Sequence, residues 1–185
     1  NAYCIGANGL YQDGPGVDEY SQHTQIWAVL AGAIEGEAAK RLMTRTLEDT
    51  TLTQCSVAMA YYLFRAVEKT GLYAYTESLW QPWRDMLADH LTTCVESPGE
   101  DARSDCHAWG SLALFELPAV VLGGRPAKPG YKAVYVNPNP GYLQWARGDV
   151  ITPHGMISVH WEKCNGELMT EIRVPDGVEL IDPTE

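Results

Sequence analysis

Residues 123–132, GGRPAKPGYK, divide this chain into two halves of different periodicity. Glycine and proline at this density read as turn punctuation. Before them, apolar residues recur at helical spacing. After them, short runs alternate as strands do: 132–136 (KAVYV), 156–161 (MISVHW) and 168–174 (LMTEIRV). Asn165-Gly166 lies between the last two runs and predicts a two-residue hairpin turn. The fold class expected is α+β, with helical hairpins followed by a small antiparallel β-sandwich module of about 60 residues. A module of that size is marginal alone and should pack on other structure.

The first half reads as consecutive helices. Ser21 can cap one running through Trp27 and Leu30 toward Ile34, with Gly36 as its breaker. Ala38–Leu47 forms a second, with Leu42, Met43 and Leu47 inward and Lys40, Arg41 and Arg45 outward. A third begins at Thr53 and stops at Gly71, just after Lys69. A fourth spans 75–91, with Pro82 marking a break or kink. A fifth, capped by Ser104 or Asp105, carries Trp109, Leu112, Leu114, Leu117, Val120 and Val121, and Pro118 should bend it. Short links between such helices are the pattern of a bundle or a toroid of helix pairs. Asp18-Glu19 reads as charge complementing the first helix dipole.

The chain has 185 residues, enough for one full domain or one and a half small ones. Its net charge of -11 argues against nucleic acid or an anionic membrane surface as partner and suits a neutral ligand. No apolar run approaches the roughly 20 residues of a membrane span. The five cysteines lack CxxC spacing, which supports neither a zinc site nor a disulfide framework. Reduced, mostly buried thiols are expected, which favours a cytoplasmic over a periplasmic or secreted location. No metal or cofactor is expected, since the histidines have no metal-ligand spacing. The opening segment, NAYCIGANGLYQDGPGVDEYS, reads as a loop entering a helix from something earlier, as in a piece of a longer protein.

Chemistry concentrates in residues 92–110, TTCVESPGEDARSDCHAWG. A carboxylate, an imidazole and an indole in one loop are what a sugar-cleaving site needs. The carboxylate activates water, the imidazole hydrogen-bonds hydroxyls, and the indole stacks on a sugar face. Glu96, His107 and Trp109 are the candidates. Asp105 can bind hydroxyls or cap a helix, Trp109 can be core, and Glu100 and Asp101 are rivals to Glu96. Farther on, His154 reads as a turn or interface residue. Trp145 and Trp161 can form a carbohydrate-binding face or strand core. Tyr61, Tyr62, Trp80 and Trp83 read as helix–helix packing.

Six segments, YSQHTQIWAVLAG (20–32), YYLFRAVEKTGLY (61–73), TTCVE (92–96), SDCHAWG (104–110), PGYKAVYVNPNPGYLQWARGDVITPHG (129–155) and ISVHWEK (157–163), carry a resemblance in this order and spacing. The chain resembles the C-terminal part of bacterial α-L-rhamnosidases of glycoside hydrolase family 78. That resemblance implies the end of an (α/α)6 catalytic barrel over residues 1–124 and part of a C-terminal β-module over 125–185. It implies inverting release of rhamnose from glycosides, with Glu96 as general base and His107 contacting the sugar. Val95 stands where the family pattern carries tryptophan. The family's acid lies in an earlier acidic, tryptophan-containing motif, and no such motif occurs here.

The expected partners are therefore a rhamnoside substrate and the missing N-terminal part of the same protein, with self-association if the half-barrel is left open. No nucleic acid or membrane partner is expected. Alone, the chain should not hydrolyse glycosides. Two other readings remain: an (α/α)6 glycosidase for a different sugar, and a non-catalytic carbohydrate-binding or structural fragment.

Overall fold

The structure, a computed structural model, describes residues 4–98 and 103–182. Glu100 and Asp101 lie outside the described residues. The chain forms two compact units, Asn1–Ser111 and Leu112–Glu185. The first is helical and the second holds the strands, so the α+β class is observed.

The first unit contains α1 (Gln22–Leu30), α2 (Gly36–Glu48), α3 (Ala60–Lys69), α4 (Thr76–Leu79) and α5 (Gln81–Ala88). Ser21 caps α1 as expected, its hydroxyl accepting from the Thr24 N–H. The acid behind that cap is Asp13 rather than Asp18 or Glu19. Its Oδ1 accepts from the Ser21 N–H at 3.1 Å and the Ser21 hydroxyl at 2.7 Å. Asp18 instead accepts from the Tyr20 hydroxyl.

The end of α1 differs from the sequence reading. It closes at Gly32, whose φ of 72° suits a glycine after a helix, and Ala33 N–H bonds back to Ala28 C=O. Gly36 then opens α2 rather than breaking α1. Thr46, not Leu47, completes the buried stripe of Ala39, Leu42 and Met43. The third helix starts later than Thr53, through a 3-10 turn at Val57–Met59. It stops at Gly71 as read, with Leu72 N–H returning to Val67 C=O. Pro82 marks a true break: Trp80 separates α4 from α5, and the proline occupies the first turn of α5.

Two buried glutamines tie this unit together. Gln25 is fully buried and donates to Tyr11 C=O and Ser21 C=O while accepting from Tyr11 N–H, which satisfies its amide. Gln22 accepts from Cys55 N–H and donates to Gln54, joining α1 to the segment before α3. Apolar packing centres on Ile26, Val29, Met43, Phe64 and Val67. Phe64, Trp80 and Trp83 meet edge to face. Tyr61 and Tyr62 are more exposed than helix packing requires, although Tyr62 meets Trp27 of α1.

The second unit begins with α6 (Ala113–Glu116), which widens at once into a π-helical turn over Leu117–Val121. Pro118 is the bend read from the sequence. It has no N–H to donate back along an α-helix, and Leu122 N–H reaches Leu117 C=O instead. Two three-stranded sheets follow. One has the order β1 (Gly124–Pro126), β2 (Ala133–Val136) and β6 (Glu179–Leu180); the other runs β3 (Trp145–Thr152), β4 (Gly155–Cys164) and β5 (Glu167–Arg173). The β2–β6 pair is parallel, so this module is not wholly antiparallel.

The Asn165-Gly166 turn links β4 and β5, both residues at positive φ. His154 holds the β3–β4 turn, its Nε2 lying 3.0 Å from Gly130 C=O. Val150, Ile157, Val159 and Trp161 form the inner face. Trp161 is fully buried and its Nε1 donates to Val121 C=O at 2.8 Å. Trp145, by contrast, is 64% exposed and is not core. The alternation places neighbours 145 and 161 on opposite faces, because Ala146, not Trp145, pairs with Trp161.

All five cysteines are free thiols, but none is fully buried, contrary to the sequence reading; Cys106 is exposed. Burial pushes the Cys55 thiol up to about 12.

Two predictions test this packing. Trp161→Ala should cost about 3–5 kcal/mol, since it empties a buried site and removes an indole hydrogen bond. Urea unfolding would measure it, and a loss below about 1 kcal/mol would contradict the assignment. At pH 8 only about one Cys55 in ten thousand is thiolate, so an aromatic disulfide reagent should modify Cys106 well before Cys55. The gap should narrow as pH rises toward 12, and equal rates at pH 8 would refute the shift.

Candidate active site

The candidate residues lie on the loop that follows α5. His90 takes φ 58° and Leu91 N–H bonds back to Met86 C=O, ending the helix. The chain then runs out through Cys94–Glu96 and returns through Ser104–His107. Two backbone hydrogen bonds join these arms: Glu96 N–H to Ser104 C=O at 2.9 Å, and His107 N–H to Cys94 C=O at 2.8 Å. The Thr93 hydroxyl also donates to Asp105 C=O. Val95 is buried and anchors the outgoing arm.

This bridge brings Glu96 and His107 together. Their Oε1 and Nε2 atoms are 3.8 Å apart, longer than a hydrogen bond, and each side chain is about four-fifths covered. His107 Nδ1 is buried and has no hydrogen-bond partner among the described residues. The His107 ring also leans on Trp109, with centroids 4.3 Å apart and planes tilted 35°. Trp109 is 44% exposed, so its indole is not core. Carboxylate, imidazole and indole thus form one cluster.

Asp105 and Ser104 do not cap a helix. The expected fifth helix starts later, at Ala113, behind a 3-10 turn at Ala108–Gly110 that extended His107 precedes and no side chain caps. The backbone pairing with Cys94 holds His107 extended, and that competes with helix initiation. Ser104 Oγ instead accepts from Cys106 N–H, closing a local turn. Asp105 is exposed.

One residue of the cluster escaped the sequence reading. Arg103 donates side-on to both Glu96 oxygens, through Nε to Oε2 at 3.0 Å and through Nη2 to Oε1. Its side chain is 78% exposed and lies over the carboxylate from the solvent side. A single basic residue between Asp101 and Asp105 was the available signal. Gly110 was also overlooked. Its carbonyl accepts from Trp83 Nε1 at 2.7 Å, and a Cβ there would fall 2.4 Å from Cys94 Cβ. No side chain fits between the 3-10 turn and the outgoing arm.

The arrangement can hold a polyhydroxylated ligand. The carboxylate accepts from water or hydroxyl, the imidazole places Nε2 beside it, and the indole presents an apolar face. Among the described residues no group of three or more histidine, cysteine or acidic side chains could hold a metal.

Residues 123–181 match the family described as the bacterial alpha-L-rhamnosidase C-terminal domain. Among solved structures, the chain is similar to the GH78 family rhamnosidase of Bacillus sp. GL1, with 28% identity and a TM-score of 0.78 over 99% of this chain and 22% of that one. The native α-L-rhamnosidase of Aspergillus terreus has 20% identity and a TM-score of 0.70, covering 88% of this chain and 21% of that one. The Streptomyces avermitilis α-L-rhamnosidase, solved with L-rhamnose, has 18% identity and a TM-score of 0.69, covering 94% and 19%. The last two likenesses concern fold. No curated protein matches the sequence. The chain spans about a fifth of the length of these solved relatives.

Gly110→Ala tests the loop geometry. The added methyl should break the fit against Cys94 and cost about 1–3 kcal/mol, read from chemical unfolding followed by tryptophan fluorescence. An unchanged midpoint would show that the two arms are not held as described.

Proposed function

With its resemblance to the C-terminal part of the GH78 α-L-rhamnosidases as premise, we propose that this chain contributes the base half of a rhamnoside-cleaving active site. Residues 1–124 are the closing part of an (α/α)6 barrel, and residues 125–185 are its C-terminal β-module. The observation that carries the reading is the Glu96–His107 pair with Trp109 beside it.

In an inverting reaction one carboxyl donates a proton to the leaving oxygen while another activates water on the opposite sugar face. The two stand about 6.5–9.5 Å apart. Glu96 is the base: it takes a proton from the water that attacks the anomeric carbon. The acid belongs to a segment outside this chain, so the chain alone does not turn over glycosides. His107 holds a sugar hydroxyl. Its Nε2, which lies beside Glu96 without hydrogen-bonding it, supports this, since a ligand hydroxyl placed between them could pair with both. Trp109 offers its exposed indole to the sugar, and Asp105 reaches hydroxyls from the rim.

A second reading has one observation in its favour. Arg103 engages both oxygens of Glu96, as it would for a purely structural carboxylate. On the catalytic reading the long, exposed arginine swings aside when substrate enters, and each oxygen keeps a second lone pair meanwhile.

In the longer enzyme that carries this chain, Glu96→Gln should lower kcat by about three orders of magnitude or more on an aryl α-L-rhamnoside, since it removes proton abstraction and keeps shape. Retention of more than about a tenth of kcat would favour the structural carboxylate. His107→Ala should raise KM by more than it lowers kcat, and unchanged rhamnose affinity would make the histidine structural.

A further inference from the structure

The outer face of the β3–β4–β5 sheet carries a second cluster of polar side chains, remote in sequence from Glu96 and His107. Strand register sets it out in rows. Arg147, His160 and Glu171 lie side by side across the three strands, and Asp149, Ser158 and Arg173 form the next row. On the other side of the first row, β3 contributes the exposed indole of Trp145. These six polar side chains border one recess of about 440 Å³.

Internal pairing leaves much of this row structure free. Ser158 donates to Asp149 at 2.6 Å, and His160 Nδ1 lies 4.0 Å from Glu171. Neither arginine has an ion-pair partner among the described residues. Two guanidinium groups and two carboxylates make the recess formally neutral on a chain of net charge -11. An anion entering it would meet Asp149 and Glu171, and a cation would meet Arg147 and Arg173. A neutral ligand rich in hydroxyls meets no such penalty, since each hydroxyl both donates and accepts. Planar guanidinium and carboxylate groups can each engage two neighbouring hydroxyls, and the exposed Trp145 indole, one row beyond the recess on the same sheet face, supplies an apolar stacking surface. The volume lies within the usual range of about 300–1,000 Å³ for small-molecule sites.

We propose that this sheet face is a non-catalytic binding site for neutral saccharide chains, with Trp145 as the stacking platform and Arg147 and Asp149 as the principal hydroxyl contacts. It lies within the β-bearing unit and does not depend on the role of Glu96.

The test is affinity electrophoresis of the chain in gels containing xyloglucan, galactomannan, arabinogalactan or mixed-linkage β-glucan, with polygalacturonate as the acidic control. Retardation is expected in at least one neutral gel. Trp145→Ala and Arg147→Ala should each weaken it about tenfold, equivalent to about 1.4 kcal/mol. Both positions are exposed, and circular dichroism verifies that the variants stay folded. The proposal is overturned by no retardation in any neutral gel or by retardation in polygalacturonate alone. Retardation that survives both substitutions but disappears in His107→Ala would assign the binding to the loop site and overturn the sheet site equally.

Discussion

Two backbone hydrogen bonds, Glu96 N–H to Ser104 C=O and His107 N–H to Cys94 C=O, are the constraint on which the candidate site depends. They pair two arms that hold no helix or strand among their described residues. Without them Glu96 and His107 would be eleven positions apart on an acidic segment with nothing to align them. With them, carboxylate, imidazole and indole share one side of the loop. Gly110 makes the pairing possible, because only a residue without a Cβ lets the 3-10 turn lie against Cys94. The Trp83 indole then secures the Gly110 carbonyl, tying the loop to α5 and its aromatic cluster.

The same pairing explains why the site does not sit on a helix N-terminus. Ser104 and Asp105 have the composition of N-caps, and the apolar spacing after them is helical. A cap needs the following residues free to turn. Here His107 is held extended by Cys94, so the first turn is a short 3-10 segment. Tertiary backbone pairing overrides a local preference of about 1 kcal/mol. The result is that His107 projects beside Glu96 rather than along a helix.

The β-bearing unit rests on a different principle. Strict alternation along β3, β4 and β5 sends Val150, Ile157, Val159 and Trp161 to the inner face and Trp145, Arg147, His160 and Arg173 to the outer one. Trp161 seals the inner face by donating to Val121, at the end of the π-helical turn that Pro118 enforces. One tryptophan is therefore structure and the other is surface. Composition could not separate them, because register alone decides which face each one takes.

Local chemistry determined much of this protein without help from the rest of the chain. Ser21 as a cap, Gly71 as a stop, Pro82 and Pro118 as interruptions, and Asn165-Gly166 as a hairpin all follow from backbone conformations open to those residue types. The division into helical and strand halves follows from periodicity. The concentration of carboxylate, imidazole and indole in one loop was legible too, as was the likeness that the family match to residues 123–181 bears out. Tertiary structure decided what depends on residues distant in sequence: Asp13 behind the Ser21 cap, the parallel β2–β6 pair, the clasp of Arg103 on Glu96, and the close approach of Gly110 to Cys94. Each is a meeting between segments whose one-dimensional patterns carry no record of the other. Propensity acts over a few neighbouring residues, whereas these contacts form only once the chain has folded.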